Sequence, residues 1–421
     1  MFIYEYKVAG TPKQYAAIDE ALRVTQFIRN KCLRLWMDDS SHLGQKEERS
    51  SSSSEMDKGQ KRGVSKNDLQ VYCAVLAKGY SFASLLNSQA RQGAADRAWS
   101  AIERFYGNCT NHKPGKKGYP RFQHDNRSVE YKVTGWKLDP DGKHITFTDG
   151  CGIGRLRLVG TKKQDIAAFP VKQIKRVRIL KRADGYYVQF VVKAERKVEH
   201  VTTGAQVGID MGLKEFYTDS NGNMVANPRF LRKAERKLKR LHRRLSKTQK
   251  QSKNRQQARQ KLAKAYLKVN RQREDFARKT ANALTTSHDL VAYEDLKIAN
   301  LVKNHHLAKS ISDAAWGRFL DWVNYYGLVQ NVPIVAVAPH FTSQQCSGCG
   351  KIVKKSLSER THRCIHCGLV MDRDENAARN ILALALQWLK EQGCTEGHSE
   401  TGLPARRRNA SGQKTTTTAQ H

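Results

Sequence analysis

Seven side chains in this 421-residue sequence have the types and spacing to do chemistry. Four are cysteines: Cys346-x-x-Cys349 and Cys364-x-x-Cys367, 14 residues apart, each pair followed directly by a glycine, Gly350 and Gly368. Tetrahedral Zn²⁺ takes four thiolates from two tight turns, and such turns favour a residue without Cβ. The spacing predicts one closed, structural zinc site. Paired disulfides are the alternative, disfavoured in an intracellular chain. His362 and His366 lie nearby, but four thiolates leave them no coordination position. Cys32, Cys73, Cys109, Cys151 and Cys394 have no metal spacing.

The other three are carboxylates at the ends of expected elements. Asp210 ends a strand between Gly208 and Gly212. Glu294 closes the strand Leu290 to Tyr293, and Asp374 opens the last helix. Ala378, Ile381, Ala385 and Trp388 follow Asp374 at helical spacing, so it points with the apolar face, whereas Asp372 reads as the helix cap. Hard Mg²⁺ prefers carboxylate oxygen and water. Two such ions roughly 4 Å apart can activate an attacking water and stabilise a leaving 3′ oxygen. Asp210, Glu294 and Asp374 are therefore the expected catalytic ligands of two Mg²⁺ ions, and phosphodiester hydrolysis the expected reaction. Strand transfer by the same triad remains open.

These side chains need a particular scaffold. From about residue 201 the pattern reads as three strands joined by short turns, then helix, strand, helix, strand, helix. That is the order of an RNase H-like α/β domain over 201–340 and 371–391, with a zinc ribbon inserted at 341–370. A right-handed crossover would set the Glu294 strand beside the Asp210 strand. Ser312 to Gln330 reads as one helix, with Trp316, Phe319, Leu320 and Val323 on its apolar face.

Upstream, residues 1–10 read as a strand, and Thr11, Pro12 and Gln14 as a helix start. Helices are expected on either side of a polar loop at 38–66. From Lys113 short alternating segments follow, with a hairpin signal at Ala183-Asp184-Gly185. A small barrel is the natural closure of this β-rich unit, a sandwich the alternative. The expected architecture is thus α+β and multidomain. A β-barrel (1–10 and 113–200) carries an inserted helical domain (11–112), the RNase H-like domain with its ribbon comes next, and a disordered tail (392–421) ends the chain.

The chain holds 75 Lys and Arg against 39 Asp and Glu, a formal charge of +36. An excess of this size points to a polyphosphate partner. With no apolar run of about 18 residues, neither a membrane span nor a membrane partner is expected, and the chain reads as intracellular. Residues 229–279 hold 21 of the basic residues against Glu235, Glu274 and Asp275, so half of the net charge sits there. Leucines and alanines at three- and four-residue spacing predict a helical hairpin over 229–288. Its basic faces, including Arg236, Arg240, Arg243 and Arg244, would line a nucleic-acid channel; a solvated charged face is the plainer alternative. Lys116, Lys117 and Arg121 suit phosphate contacts. Ser88, Gln89 and Gln92 suit adenine edges or are ordinary helix-surface residues.

Four segments together resemble the TnpB family: Gly208-Ile209-Asp210-Met211-Gly212-Leu213, Tyr293-Glu294-Asp295-Leu296, Thr342 to Gly350, and Asp372-Arg373-Asp374-Glu375-Asn376-Ala377-Ala378-Arg379-Asn380. The resemblance implies a transposon-encoded, RNA-guided DNA endonuclease related to type V CRISPR nucleases. It also implies a wedge barrel, recognition helices and one RuvC site at Asp210, Glu294 and Asp374. The implied partners are a guide RNA from the transposon end and double-stranded DNA bearing a short adjacent motif, in a prokaryotic cytoplasm and at the nucleoid, with no small-molecule substrate. A miniature CRISPR nuclease and an RNA-guided repressor with a dead site are neighbouring readings.

Overall fold

Helix caps and strand alternation build the first of two compact units, Met1–Glu195 and Arg196–His421, in a computed structural model that describes residues 2–44, 63–160, 166–194, 198–356 and 359–392. Strand β1 (Phe2–Ala9) leads into helix α1 (Pro12–Gly44). Thr11 and Gln14 cap the helix reciprocally, backbone N–H to side-chain oxygen in both directions. Gln14 Nε2 then donates to the carbonyls of Ile153 and Arg155 at 2.9 Å, fastening the helix start to the sheet. Helices α2 (Lys66–Gly79), α3 (Ser81–Ser84) and α4 (Ser88–Thr110) follow. Of the loop expected at 38–66, the first residues continue α1; residues 45–62 lie outside the described residues, as do residues 393–421 of the expected tail. The helices bury Ile18, Leu22, Ile28, Ala94, Ala98 and Ile102 in the same core as Val129, Tyr131, Ile179 and Phe190 of the sheet. Each large apolar side chain so buried contributes about 1.5–3 kcal/mol.

That sheet is not the expected barrel. Its strands are β1, β2 (Ser128–Tyr131), β3 (Trp136–Leu138), β4 (His144–Phe147), β5 (Gly154–Val159), β6 (Ile174–Arg182) and β7 (Gly185–Val192). They run in the order β2-β6-β7-β1-β5-β4-β3, and among the described residues the edges β2 and β3 do not pair with each other. The start of α4 packs instead against the connection between these edges. Oε1 of Gln89 accepts the N–H groups of Val133 and Thr134 at 2.7 and 2.9 Å, satisfying the β2–β3 connection with a side chain instead of a strand. A Cβ at Gly135 would stand 2.8 Å from Asn87 Cγ, so the helix start and the connection are pressed together. Strand β3, only three residues long, has no counterpart in the sequence expectation.

The second unit holds a five-stranded sheet among the described residues, made of β8 (Gln206–Asp210), β9 (Glu215–Asp219), β10 (Met224–Ala226), β11 (Leu290–Glu294) and β12 (Ile334–Val337), in the order β10-β9-β8-β11-β12. The first three are antiparallel; β11 is parallel to both β8 and β12. Between β10 and β11 the chain forms α5 (Phe230–Ser246) and α6 (Lys253–Thr286), which pack through Leu238, Ala258, Leu262 and Val269. Helix α5 has no side-chain cap of its own; the Asp313 carboxylate accepts its Leu231 and Arg232 N–H groups and binds Arg273 of α6 at 2.8 Å.

Short helices α7 (Ile298–Leu301) and α8 (Ala308–Ala314) precede α9 (Trp316–Gln330). Here the single helix expected over Ser312 to Gln330 is broken at Ala315, whose φ is 57°. The left-handed residue costs about 1–2 kcal/mol, and the break coincides with the segment that turns Asp313 onto α5. The ribbon strands β13 (Thr361–Arg363) and β14 (Val370–Asp372) then lead into α10 (Arg373–Glu391). No helix among the described residues is long and apolar enough to cross a membrane.

Candidate active site and ribbon

The parallel register sets Ala292 against Gly208 and Tyr293 against Ile209, so the next residues, Glu294 and Asp210, emerge side by side at the ends of β11 and β8. Helix α10 crosses β8 closely. A Cβ at Gly208 would lie 2.2 Å from the Ala378 carbonyl oxygen, so only glycine admits the helix at this depth. Asp372 caps α10 as the sequence predicts, accepting the N–H groups of Asp374 and Glu375. Its caps hold the first turn, and Asp374 with it, near the strand ends.

Burial, followed by the Glu294 and Asp374 charges, pushes the Asp210 carboxyl up to about 8. Burial also raises Glu294, offset in part by the Thr342 hydroxyl that donates to it. Asp374 is bound by Arg373 at 2.8 Å and Arg360 at 3.4 Å. Among the described residues the oxygens of the three acids do not all lie within 4.8 Å of one another. Glu294 and Asp374 lean instead on their neighbouring donors. An acid whose proton affinity is raised by burial and by the two carboxylates beside it belongs to a donor set that fits a divalent cation.

In the ribbon the Sγ atoms of Cys346, Cys349, Cys364 and Cys367 do lie within 4.8 Å of one another, and could together hold a metal ion. Two turns with one hydrogen-bond pattern place them. The N–H groups of Gly350 and Gly368 donate to Cys346 and Cys364, whose own N–H groups donate to Lys351 and Leu369. Both glycines have φ near 75°, the left-handed value their missing Cβ permits.

The expected nucleic-acid contacts fall in both units. Arg236, Arg240, Arg243 and Arg244 are exposed on α5, and Lys116 and Arg121 are exposed ahead of β2. Lys117 is half-buried, with its carbonyl accepting from Asn108. Ser88, Gln89 and Gln92 lie in the first turns of α4, where Gln89 makes the sheet bonds already described. Sequence reasoning missed Thr342, Asn376 and Asn380, which join the ribbon to the acids; the signal available was a pair of asparagines one turn apart inside a helix, where asparagine is unfavourable. It also missed Asp139, Asp141 and His144, whose donor atoms gather within 4.8 Å, although Asp139 is bound by Arg155 at 2.7 Å.

The second unit is thus a five-stranded α/β domain that brings acids to its strand ends and carries a four-cysteine ribbon. A family model described as a probable transposase (OrfB_IS605) matches residues 189–305, and one for the Cas12f1-like TNB domain matches residues 316–381. A Streptomyces pristinaespiralis protein, provisionally named an RNA-guided DNA endonuclease, is 36% identical over 207 residues, which cover 49% of this chain and 51% of that protein. The provisionally named RNA-guided DNA endonuclease InsQ of Escherichia coli K12 is 27% identical, over 67% of this chain and 71% of that one. The TnpB-like protein L79 of Acanthamoeba polyphaga mimivirus is 26% identical, over 49% and 42%. The matched region therefore spans about half the length of the Streptomyces relative. The fold is similar to that of Cas12f1 in its complex with guide RNA and target DNA, with a TM-score of 0.51 at 14% identity, covering 87% of this chain and 82% of that one. These comparisons support the resemblance to the TnpB family read from the four sequence segments.

Proposed function

We propose that this protein is an RNA-guided DNA endonuclease of a transposon. It recognises a short transposon-adjacent motif, pairs a guide RNA with target DNA, and hydrolyses phosphodiester bonds at Asp210, Glu294 and Asp374. The observation that carries the reading is the raised Asp210 carboxyl, set beside Glu294 by the parallel β8–β11 register and under the charge of Asp374. These three residues would hold Mg²⁺, which supplies charge stabilisation and an activated water. The chain's own groups do the positioning: Arg373 and Arg360 hold Asp374, and Thr342 holds Glu294. Cys346, Cys349, Cys364 and Cys367 would hold one structural Zn²⁺.

The exposed arginines of α5 suit a nucleic-acid backbone, whose neutralisation releases counterions and needs no base readout. The protein would act in the cytoplasm, at the nucleoid. Strand transfer without RNA is the second reading, favoured by the transposase description of the first family match. To decide, the purified protein is washed at high salt, surviving RNA is sequenced, and target duplexes with randomised flanks are supplied with Mg²⁺. A discrete RNA whose removal by RNase stops cutting is expected. Cleavage or strand joining indifferent to RNase would overturn guidance.

A further inference from the structure

Thr342 opens the loop into the first cysteine pair and is 5% exposed, low for a loop hydroxyl. Its Oγ1 donates to Glu294 Oε1. Its carbonyl accepts from Nδ2 of Asn380 at 2.8 Å, and the same Nδ2 reaches the Gln345 carbonyl at 2.7 Å. Asn376 Nδ2 meets that Gln345 carbonyl at 2.7 Å, while its Oδ1 accepts the Ser347 N–H at 2.9 Å, inside the Cys346–Cys349 turn. Asn376 and Asn380 are 0% and 6% exposed, one turn apart on α10. A continuous set of hydrogen bonds thus runs from the cysteine turn through two buried amides to the acid.

Docking the ribbon on α10 accounts for the asparagines and for the Thr342 carbonyl. It does not account for the Thr342 hydroxyl, which is turned to Glu294. A hydroxyl on a ligating carboxylate fixes its rotation, and loss of such a partner typically weakens metal binding 10–100-fold.

We propose that Thr342 is a positioning residue for Glu294, seated by Asn380 and Asn376, so that the four-cysteine ribbon orients a carboxylate of the cutting site. The inference rests on the reading of Glu294 as a ligand of the catalytic ion. The test measures Mn²⁺ binding by electron paramagnetic resonance, alongside the Mg²⁺ midpoint of cleavage, in the full chain and in Thr342→Val, Thr342→Ser, Asn380→Leu and Asp210→Asn. Thr342→Val should weaken Mn²⁺ binding and raise the Mg²⁺ midpoint by about tenfold or more. Asn380→Leu should move the same way, Thr342→Ser should remain near wild type, and zinc content and RNA binding should not change. The near-isosteric threonine pair keeps the test intact should Asn380→Leu not fold. Wild-type Mn²⁺ affinity in Thr342→Val, with binding lost in Asp210→Asn, overturns this inference alone. Wild-type affinity in Asp210→Asn overturns the ligand reading and this inference with it.

Discussion

The four cysteines and the three acids of the second unit are assembled in opposite ways. The cysteines come from two short turns that share one backbone pattern, and their sulfurs converge within 4.8 Å. The acids come from two strand ends and a helix start that are far apart in sequence, and they converge only as closely as their repulsion and their partners allow. Short-range chain geometry suffices for the first site; sheet order and one close helix crossing are required for the second. On the proposed function, the ribbon would serve stability and the acids reactivity, with charges held close at a cost.

Asp210→Ala gives the largest effect and the sharpest test of that division. Cleavage should fall about a thousandfold or more, equivalent to roughly 4 kcal/mol, while nucleic-acid binding stays near wild type. Substantial metal-dependent cutting by this variant would break the comparison. Stability should move the other way. Because the folded Asp210 titrates near 8, above the ordinary carboxylate value of about 4, the folded state holds a proton that the unfolded chain has released. Stability in chelator therefore falls as pH rises between those values, and Asp210→Asn should flatten that fall in melting curves.

Cys364→Ser should show the reverse signature. Ribbon metal is lost, the melting midpoint drops by roughly 5 °C or more, and cleavage falls with it. Retained metal with lost cutting would place reactivity in the ribbon. Gly208→Ala tests the helix crossing: with its Cβ 2.2 Å from the Ala378 oxygen, α10 must shift, at about 1–3 kcal/mol in urea unfolding. Glu235→Gln is the smallest and supplies an ordinary surface pair for reference. Lys309 and Lys239 bring Glu235 down to about 2. Its contribution, present above the ordinary value, should vanish as pH falls through about 2, and the two unfolding curves should then coincide.

The sequence made the cysteines legible because their ligand spacing is local, and the acids legible because each ends an element whose periodicity is plain. Closure of the first sheet was not legible. It turns on whether two edge strands meet, and Gln89, distant in sequence, satisfies the amides that a partner strand would have taken. The break at Ala315 was hidden for a similar reason: helical periodicity runs through it, while the Asp313 contacts that accompany it are made with α5 and α6. Thr342 and the two asparagines stood inside recognisable motifs, but their work is a set of hydrogen bonds across the chain, which no spacing encodes.

The ribbon's place ahead of α10 also orders events during synthesis. At roughly 5–20 residues per second, Asp374 leaves the ribosome several seconds after Glu294, and only after every ribbon cysteine has emerged. A nascent or prematurely ended chain can therefore present the basic hairpin and two acids without the third. On the proposed function, such a chain would hold nucleic acid before it is able to cut.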